Sequence, residues 1–272
     1  EKYKKPETRL SFCIQTNGTL IDEEWIEFLK QHHFLTGISM DGIQEIHDRN
    51  RKDAGGKETF KKVLKNARLL QNAGGNVNIL CVLTKQSARK IRSIYNFLKK
   101  QGFYYQQYIP CLDPLGEERG GRPWSLTPED YGNALKELFD LWYRDMMEGQ
   151  RVSVREFDNW LAMLGGNPPE ACAQMGRCSM QNIIEANGDV FPCDFYVLDQ
   201  YRTGNVRDED FRFFREDLST IRFLAEGKER GRACPSCHWY PLCRGGCRRD
   251  YTPEGENYFC RAYQEFFQYA IE

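Results

Sequence analysis

No apolar run in this sequence approaches the ~20 residues that a membrane-spanning helix needs, so nothing predicts an integral membrane protein. The opening segment, EKYKKPETRLSF, lacks the apolar centre of a signal peptide, and we expect a cytoplasmic protein. Charge of one sign is lacking too. The 38 Lys and Arg residues stand against 39 Asp and Glu, a net charge of -1, which excludes the electrostatic footprint of a nucleic-acid binder or of a protein held to a charged membrane surface. There is no internal repeat and no low-complexity tract, so neither a solenoid nor a disordered array is expected. The 272 residues, with 40% apolar content, suffice for one large domain or two smaller ones.

What the sequence has is cysteine. There are 11, and in a cytosolic chain such a number points to metal or redox chemistry rather than disulfides. Cys13, Cys81 and Cys111 each sit singly in an apolar, strand-like run and read as core residues. The other eight lie after residue 170, which makes two sets of four. The densest stretch, Cys234 to Cys247, reads CPSCHWYPLCRGGC, with spacing C-x2-C-x5-C-x3-C. Thiolates on short loops converge on soft metal centres. Pro235 and Pro241 stiffen the turns, and Gly245-Gly246 allows the backbone to fold tightly. A metal centre, a small structural zinc site or a disulfide knot would each suit this spacing.

Before the cysteine-rich region the chain alternates strands and helices. Strands are expected at Leu10–Gln15, Leu35–Met40, Asn76–Thr84 and Tyr104–Leu112. Helices are expected at Asp22–His33, Gly56–Ala73 and Ser87–Gln101, the last capped by Ser87. His47, Arg49 and Arg51 fall in a predicted loop. This alternation implies an α/β fold with parallel strands, whose C-terminal ends collect chemistry. Residues 113–126, rich in Gly, Pro and charge, read as a linker. Thr127-Pro128-Glu129-Asp130 opens a helix to about Met147, with Tyr131, Phe139, Trp142 and Tyr143 as core aromatics. A shorter helix follows at Ser153–Leu164. Asn187-Gly188 between apolar runs predicts a hairpin ending at Cys193. The segment after it offers Phe211, Phe213 and Phe214 for packing, and a C-terminal helix closes the chain.

Taken together, these residues resemble a radical S-adenosylmethionine (SAM) enzyme with a SPASM domain, and among those the anaerobic sulfatase-maturating enzymes. Two groups carry the resemblance. One is Cys178-x9-Gly188-x4-Cys193, then C-x2-C-x5-C-x3-C, then Cys260, with Cys172 upstream. The other is QTNGTLI at 15–21, GISMDG at 37–42 and HDRNR at 47–51. The resemblance implies a partial radical SAM (β/α)6 barrel over 1–115, a linker with helices over 116–167 and a SPASM domain over 168–272. It implies two auxiliary 4Fe-4S clusters, one held by Cys172, Cys178, Cys193 and Cys247, the other by Cys234, Cys237, Cys243 and Cys260. Ser39 and Arg51 match positions that hold the methionine part of SAM, and Leu112 a position near the adenine. Asp194, in PCDFY, matches the family's catalytic base. His47 and His238, with every late cysteine assigned, read as loop residues.

The implied reaction oxidises a cysteine or serine in an unfolded sulfatase segment, Cys/Ser-x-Pro/Ala-x-Arg, to formylglycine. A reduced flavodoxin or ferredoxin-type protein would supply electrons. A SPASM maturase of a ribosomal peptide, or a non-catalytic iron–sulfur or zinc module binding peptide, shares the cysteine pattern. The family's C-x3-C-x2-C motif, which binds the catalytic third 4Fe-4S cluster, is absent from these residues. Two barrel strands would precede them, so the sequence reads as part of a longer protein, inactive by itself, with an apolar sheet edge exposed.

Overall fold

The computed structural model describes residues 5–229 and 231–272. The chain divides into two compact units, between Asp158 and Asn159. This is earlier than position 168: of the predicted linker and helices, residues 159–167 fall in the second unit and 116–158 belong to the first. In the latter stretch Leu126, Tyr131, Leu135, Leu138, Trp142, Val152 and Val154 are buried.

The first unit runs β1 (Cys13–Thr16), α1 (Glu23–Gln31), β2 (Leu35–Ser39), α2 (Gln44–Asn50), α3 (Phe60–Asn72), β3 (Asn76–Leu83), α4 (Lys85–Ala88), α5 (Ile91–Lys100), β4 (Tyr105–Pro110), α6 (Pro128–Met147) and β5 (Ser153–Val154). α7 (Arg155–Leu164) spans the division. The strands form one parallel sheet in the order β1-β2-β3-β4-β5, the α/β arrangement expected of strand–helix alternation. Ile38, Ile79 and Leu83 from the strands, Met40 just after β2, and Val63, Leu70, Ile91, Ile94 and Leu98 from the helices are buried as the core. Among the described residues β1 is paired on one side only, and Leu10, Phe12 and Leu35 near it are exposed.

The helices start where their caps dictate. Asp22 accepts from the Trp25 N–H at 2.9 Å to open α1, and Thr127 accepts from Asp130 N–H at 3.1 Å to open α6. Several sequence expectations are corrected. His47 sits in a helix, α2, not a loop, and is fully buried. Its Asp48 carboxylate accepts from the N–H groups of Thr59 and Phe60 at 3.1 and 2.9 Å and so caps α3 from a distance. Ser87 is not a cap but the third residue of α4; Thr84 caps it, and the two side chains form a capping box. The loop at 113–126 is ordered by the buried Asp113, which accepts from Gly120 N–H at 2.9 Å and from the Ser125 hydroxyl. Of the helical aromatics, Tyr131 and Trp142 are core residues but Tyr143 is exposed. Cys81 is buried as expected, Cys111 is half-buried, and Cys13 is exposed because β1 is an edge.

The second unit holds a small antiparallel sheet of β6 (Ile183–Ile184), β7 (Asp189–Phe191) and β8 (Gly204–Asn205). The Asn187-Gly188 turn joins the first two, with Asn187 Oδ1 accepting from Asp189 N–H at 3.0 Å. Two helices, α8 (Phe211–Glu216) and α9 (Leu218–Glu226), follow where the sequence showed only packing residues. Of Phe211, Phe213 and Phe214, only Phe214 is buried. α10 (Tyr240–Cys243) and α11 (Cys260–Ile271) complete the unit. Trp160 packs against Tyr263, Phe266 and Phe267 of α11. Among the described residues no helix is long and apolar enough to cross a membrane.

Candidate functional site

In the first unit the predicted cofactor residues lie at the C-terminal ends of strands. Ser39 is the last residue of β2 and is half-buried. Two residues later Asp41 is buried, and its carboxylate takes both Nε and Nη2 of Arg51, at 2.8 and 3.0 Å. Arg51 is the C-cap of α2, so the helix carries it back to the end of β2. Asp41 Oδ1 also accepts from Val82 N–H at 3.1 Å, which ties the pair to β3. Leu112 follows β4 by two residues and is half-buried. The neighbouring Cys111 donates its N–H to Leu83 O at 3.0 Å. Burial pushes the Cys111 thiol up to about 11, with the Asp113 and Asp41 carboxylates adding to the shift. Ser39, Asp41, Arg51 and the start of the loop after β4 therefore share one end of the sheet.

His47 stands beneath this group. Its Nδ1 accepts from Asp41 N–H at 3.3 Å, so Nε2 carries the proton and donates to Thr59 Oγ1 at 3.1 Å. Thr59 Oγ1 in turn donates to Arg51 O at 2.9 Å. Burial lowers the His47 pKa and keeps the ring neutral. Thr16 and Asn17 are taken up by their own turn: Thr16 Oγ1 accepts from Gly18 N–H, and Asn17 Oδ1 from Thr19 N–H.

In the second unit the eight late cysteines form two groups. Cys234, Cys237, Cys243 and Cys260 line one cavity of about 50 Å³, with Trp239, Asn257 and Tyr263. Burial pushes Cys243 up to about 12, with Cys260, Cys234 and Cys237 adding to the effect. Cys247 turns elsewhere. Its thiol is pushed up to about 12, chiefly by burial, and the thiols that act on it are Cys193 and Cys178. Cys193 is also pushed up to about 12 by burial, and Cys172 acts on it. The segment Arg244-Gly245-Gly246 makes the separation. Three successive residues have φ of 50°, 86° and 71°, which swings Cys247 away from Cys243. A Cβ on Gly246 would collide with the amide of Asn257, which donates to Gly245 O at 3.1 Å.

Among the described residues, no three His, Cys, Asp or Glu side chains converge on a point that one metal ion would fill. The first group surrounds a cavity, and four thiols around one space are the donor set of an iron–sulfur cluster or a zinc ion. Buried thiols hold their protons, so loading a cluster must displace them. His238 stacks edge-on against Trp239 and joins neither group.

Asp194 opens the 3-10 turn Asp194–Tyr196, is exposed, and accepts from the Cys193 thiol at 3.3 Å. One approach was invisible in the sequence. Gly227, at the end of α9, lies where a Cβ would fall 2.5 Å from Cys178 Cβ, and its carbonyl accepts from Cys178 N–H at 3.3 Å.

A family model described as "Radical SAM superfamily" matches residues 1–98, and one described as "Iron-sulfur cluster-binding domain", SPASM, matches 172–238. The chain is 43% identical over 276 residues to the cysteine-type anaerobic sulfatase-maturating enzyme of Clostridium novyi, covering 100% of this chain and 74% of that protein. The chain belongs to the anaerobic sulfatase-maturating enzymes. Members of this radical SAM family with a SPASM domain rely on iron–sulfur clusters and SAM. The serine-type anaerobic sulfatase-maturating enzyme of Bacteroides thetaiotaomicron is 31% identical over 295 residues, covering 99% of this chain and 70% of that protein. The structure of native anSMEcpe with bound AdoMet and Kp18Cys peptide superposes with a TM-score of 0.94 at 43% identity, covering 99% of this chain and 76% of that one. The SPASM match ends at 238, so Cys243, Cys247 and Cys260 stand on the geometry above.

Proposed function

We propose that this enzyme oxidises a cysteine side chain in an unfolded sulfatase peptide, of the type Cys-x-Pro-x-Arg, to formylglycine. The observation that carries the reading is the near-complete match, at a TM-score of 0.94, to an enzyme with AdoMet and a peptide bound. Cysteine rather than serine is favoured by 43% identity to a cysteine-type relative against 31% to a serine-type one. When bound, SAM and the iron–sulfur clusters supply a hydrogen-abstracting radical and a path for electrons.

This chain's residues do the rest. Ser39 and Arg51 hold the methionine part of SAM, with Arg51 oriented by Asp41, and Leu112 borders the adenine. Cys172, Cys178, Cys193 and Cys247 hold one auxiliary cluster; Cys234, Cys237, Cys243 and Cys260 hold the other. Asp194 takes the substrate's thiol proton, and its exposed carboxylate beside Cys193 suits that task. In balance, the substrate Cβ loses one hydrogen atom, the thiol one proton, and one further electron leaves. The resulting carbon–sulfur double bond is hydrolysed by water to an aldehyde and hydrogen sulfide. The reaction would run in the cytoplasm with a reduced flavodoxin or ferredoxin-type donor.

The test uses the gene's complete product, anaerobically loaded with iron and sulfide, given reductant, SAM and a Cys-x-Pro-x-Arg peptide. The expected product has the mass of the formylglycine peptide, and the serine peptide reacts more slowly. An unchanged cysteine-peptide mass alongside SAM cleavage rejects the reading.

A further inference from the structure

Arg248 directly follows Cys247. Its guanidinium carbon lies 5.2 Å from the ring centroid of Tyr196 and 5.2 Å from that of Phe223. Nη2 donates to Glu226 Oε2 at 2.6 Å, and Nη1 to Phe223 O at 3.3 Å. Tyr196 and Phe223 are both buried. Each partner belongs to a segment that bears on the same cysteines. Tyr196 ends the turn that Asp194 opens, and its N–H donates to Cys193 O at 3.0 Å. Phe223 and Glu226 belong to α9, whose end abuts Cys178 through Gly227. One planar cation thus joins three segments around Cys178, Cys193 and Cys247. Packing alone would not require this. Apolar side chains fill such a space without the cost of desolvating a charge, and lysine can neither stack flat nor donate from a rigid fork.

We propose that Arg248 is a positioning residue, which locks the Asp194–Tyr196 turn against the Cys247 segment and neutralises the Glu226 carboxylate beside the ligands Cys172, Cys178, Cys193 and Cys247. The inference rests on the assignments of Asp194 and of that ligand set made above. The geometric part needs the planar fork, so lysine and glutamine both lose it. The charge part needs only a cation, so lysine keeps it. Without a cation the Glu226 carboxylate is left uncompensated, and a negative charge near a cluster disfavours the reduced form and lowers its reduction potential.

The experiment compares R248K and R248Q with the parent in the gene's complete product, loaded with iron and sulfide. It reads iron and sulfide content, cluster potentials by spectroscopically monitored titration, and the ratio of formylglycine formed to 5'-deoxyadenosine released. Iron content is expected to hold in both variants. The ratio should fall about ten- to a hundred-fold in both, as expected when a reacting group is misplaced by about an ångström, with KM for the peptide little changed. One cluster potential should fall in R248Q and not in R248K. Unchanged ratio and potential at full iron content overturn the proposal, and so does loss of iron in step with activity, which would leave Arg248 only holding the fold. If the parent forms no formylglycine, the proposed reaction fails, and the potential of R248Q alone decides the inference: a drop sustains it, no change overturns it.

Discussion

Asp41 occupies one whole edge of the Arg51 guanidinium, with Nε at 2.8 Å and Nη2 at 3.0 Å. Arg51, which the resemblance matches to a position holding the methionine part of SAM, is thus forked onto a carboxylate of the protein itself. Asp41 is 2% exposed and Arg51 27%. Removing the carboxylate leaves a partly buried cation and the Val82 N–H without their acceptor. Asp41→Ala is expected to cost about 3 kcal/mol of stability. Asp41→Asn, which keeps an acceptor for Val82, should cost less. Urea unfolding midpoints check both, and equal costs for the two would sink the account.

Beneath that pair, His47 is neutral because burial lowers its pKa, while Asp41 and Asp48 oppose the shift and Arg51 adds to it. Its folded pKa lies below the unfolded 6.5, so above 6.5 it contributes its full stability. That contribution is lost as pH falls from 6.5 through the folded pKa, because the unfolded state then binds the extra proton. Protonation would also turn Nδ1 from acceptor to donor against Asp41 N–H. His47→Asn keeps an acceptor near Nδ1 and cannot titrate. Its unfolding free energy should vary less with pH below 6.5 than the parent's, in matched urea melts.

Glu156 has the opposite sign. Burial pushes its carboxyl up to about 7, although the Tyr108 N–H, at 3.5 Å, pulls the other way. It closes the edge of β4 beyond the short pairing with β5. A raised carboxyl contributes stability that is full below the unfolded value of 4.5 and fades as pH rises through about 7. The residue keeps some exposure, so the loss should be on the order of 2 kcal/mol rather than the full shift. Glu156→Gln should therefore be more stable than the parent at pH 8 and no more stable at pH 4. Thermal melts across that range test it, and a constant difference would point to packing instead.

Much of the fold was legible because it is written locally. The strands at 35–40 and 76–84, the Asn187-Gly188 turn and the Thr127 cap depend on residues close in sequence. The misses have a common cause. QEIHDRN carries no clean amphipathic stripe, and α2 forms because Ile46, His47 and Asp48 find buried partners. β5 has two residues and exists only through its pairing with Tyr105 and Gln106. Cys13 looked like a core residue, but exposure depends on what pairs beyond its strand. At the candidate site, spacing pointed to the cysteines, and the family resemblance to Arg51. They did not show that Asp41 holds Arg51, that Gly227 makes room for Cys178, or that Arg248 joins Tyr196 and Phe223. Those are long-range contacts with no signature in the local sequence.

The division of the cysteines yields the sharpest test, because neighbours in sequence are assigned to different sites. Cys243 and Cys247 are four residues apart, yet Cys243 lines the cavity with Cys234, Cys237 and Cys260, while the thiols that act on Cys247 are Cys193 and Cys178. If each group holds one 4Fe-4S cluster, the loaded protein carries about eight irons from its two groups. Cys243→Ala and Cys247→Ala should each lose about four, leaving spectroscopically different clusters. Pairing mutations within a group, Cys243→Ala with Cys260→Ala, should cost no more iron than either alone. Pairing across groups, Cys243→Ala with Cys247→Ala, should remove nearly all of it. Iron and sulfide analysis with electron paramagnetic resonance reads the result. A local site built from Cys234, Cys237, Cys243 and Cys247 predicts the reverse pattern, in which the Cys243/Cys247 pair costs no more than one change and the Cys243/Cys260 pair empties both sites. The left-handed run at Arg244-Gly245-Gly246 is what separates the two outcomes. Gly246→Ala, forced into a conformation that L residues rarely adopt and into the Asn257 amide, should therefore lower the iron content of both sites together.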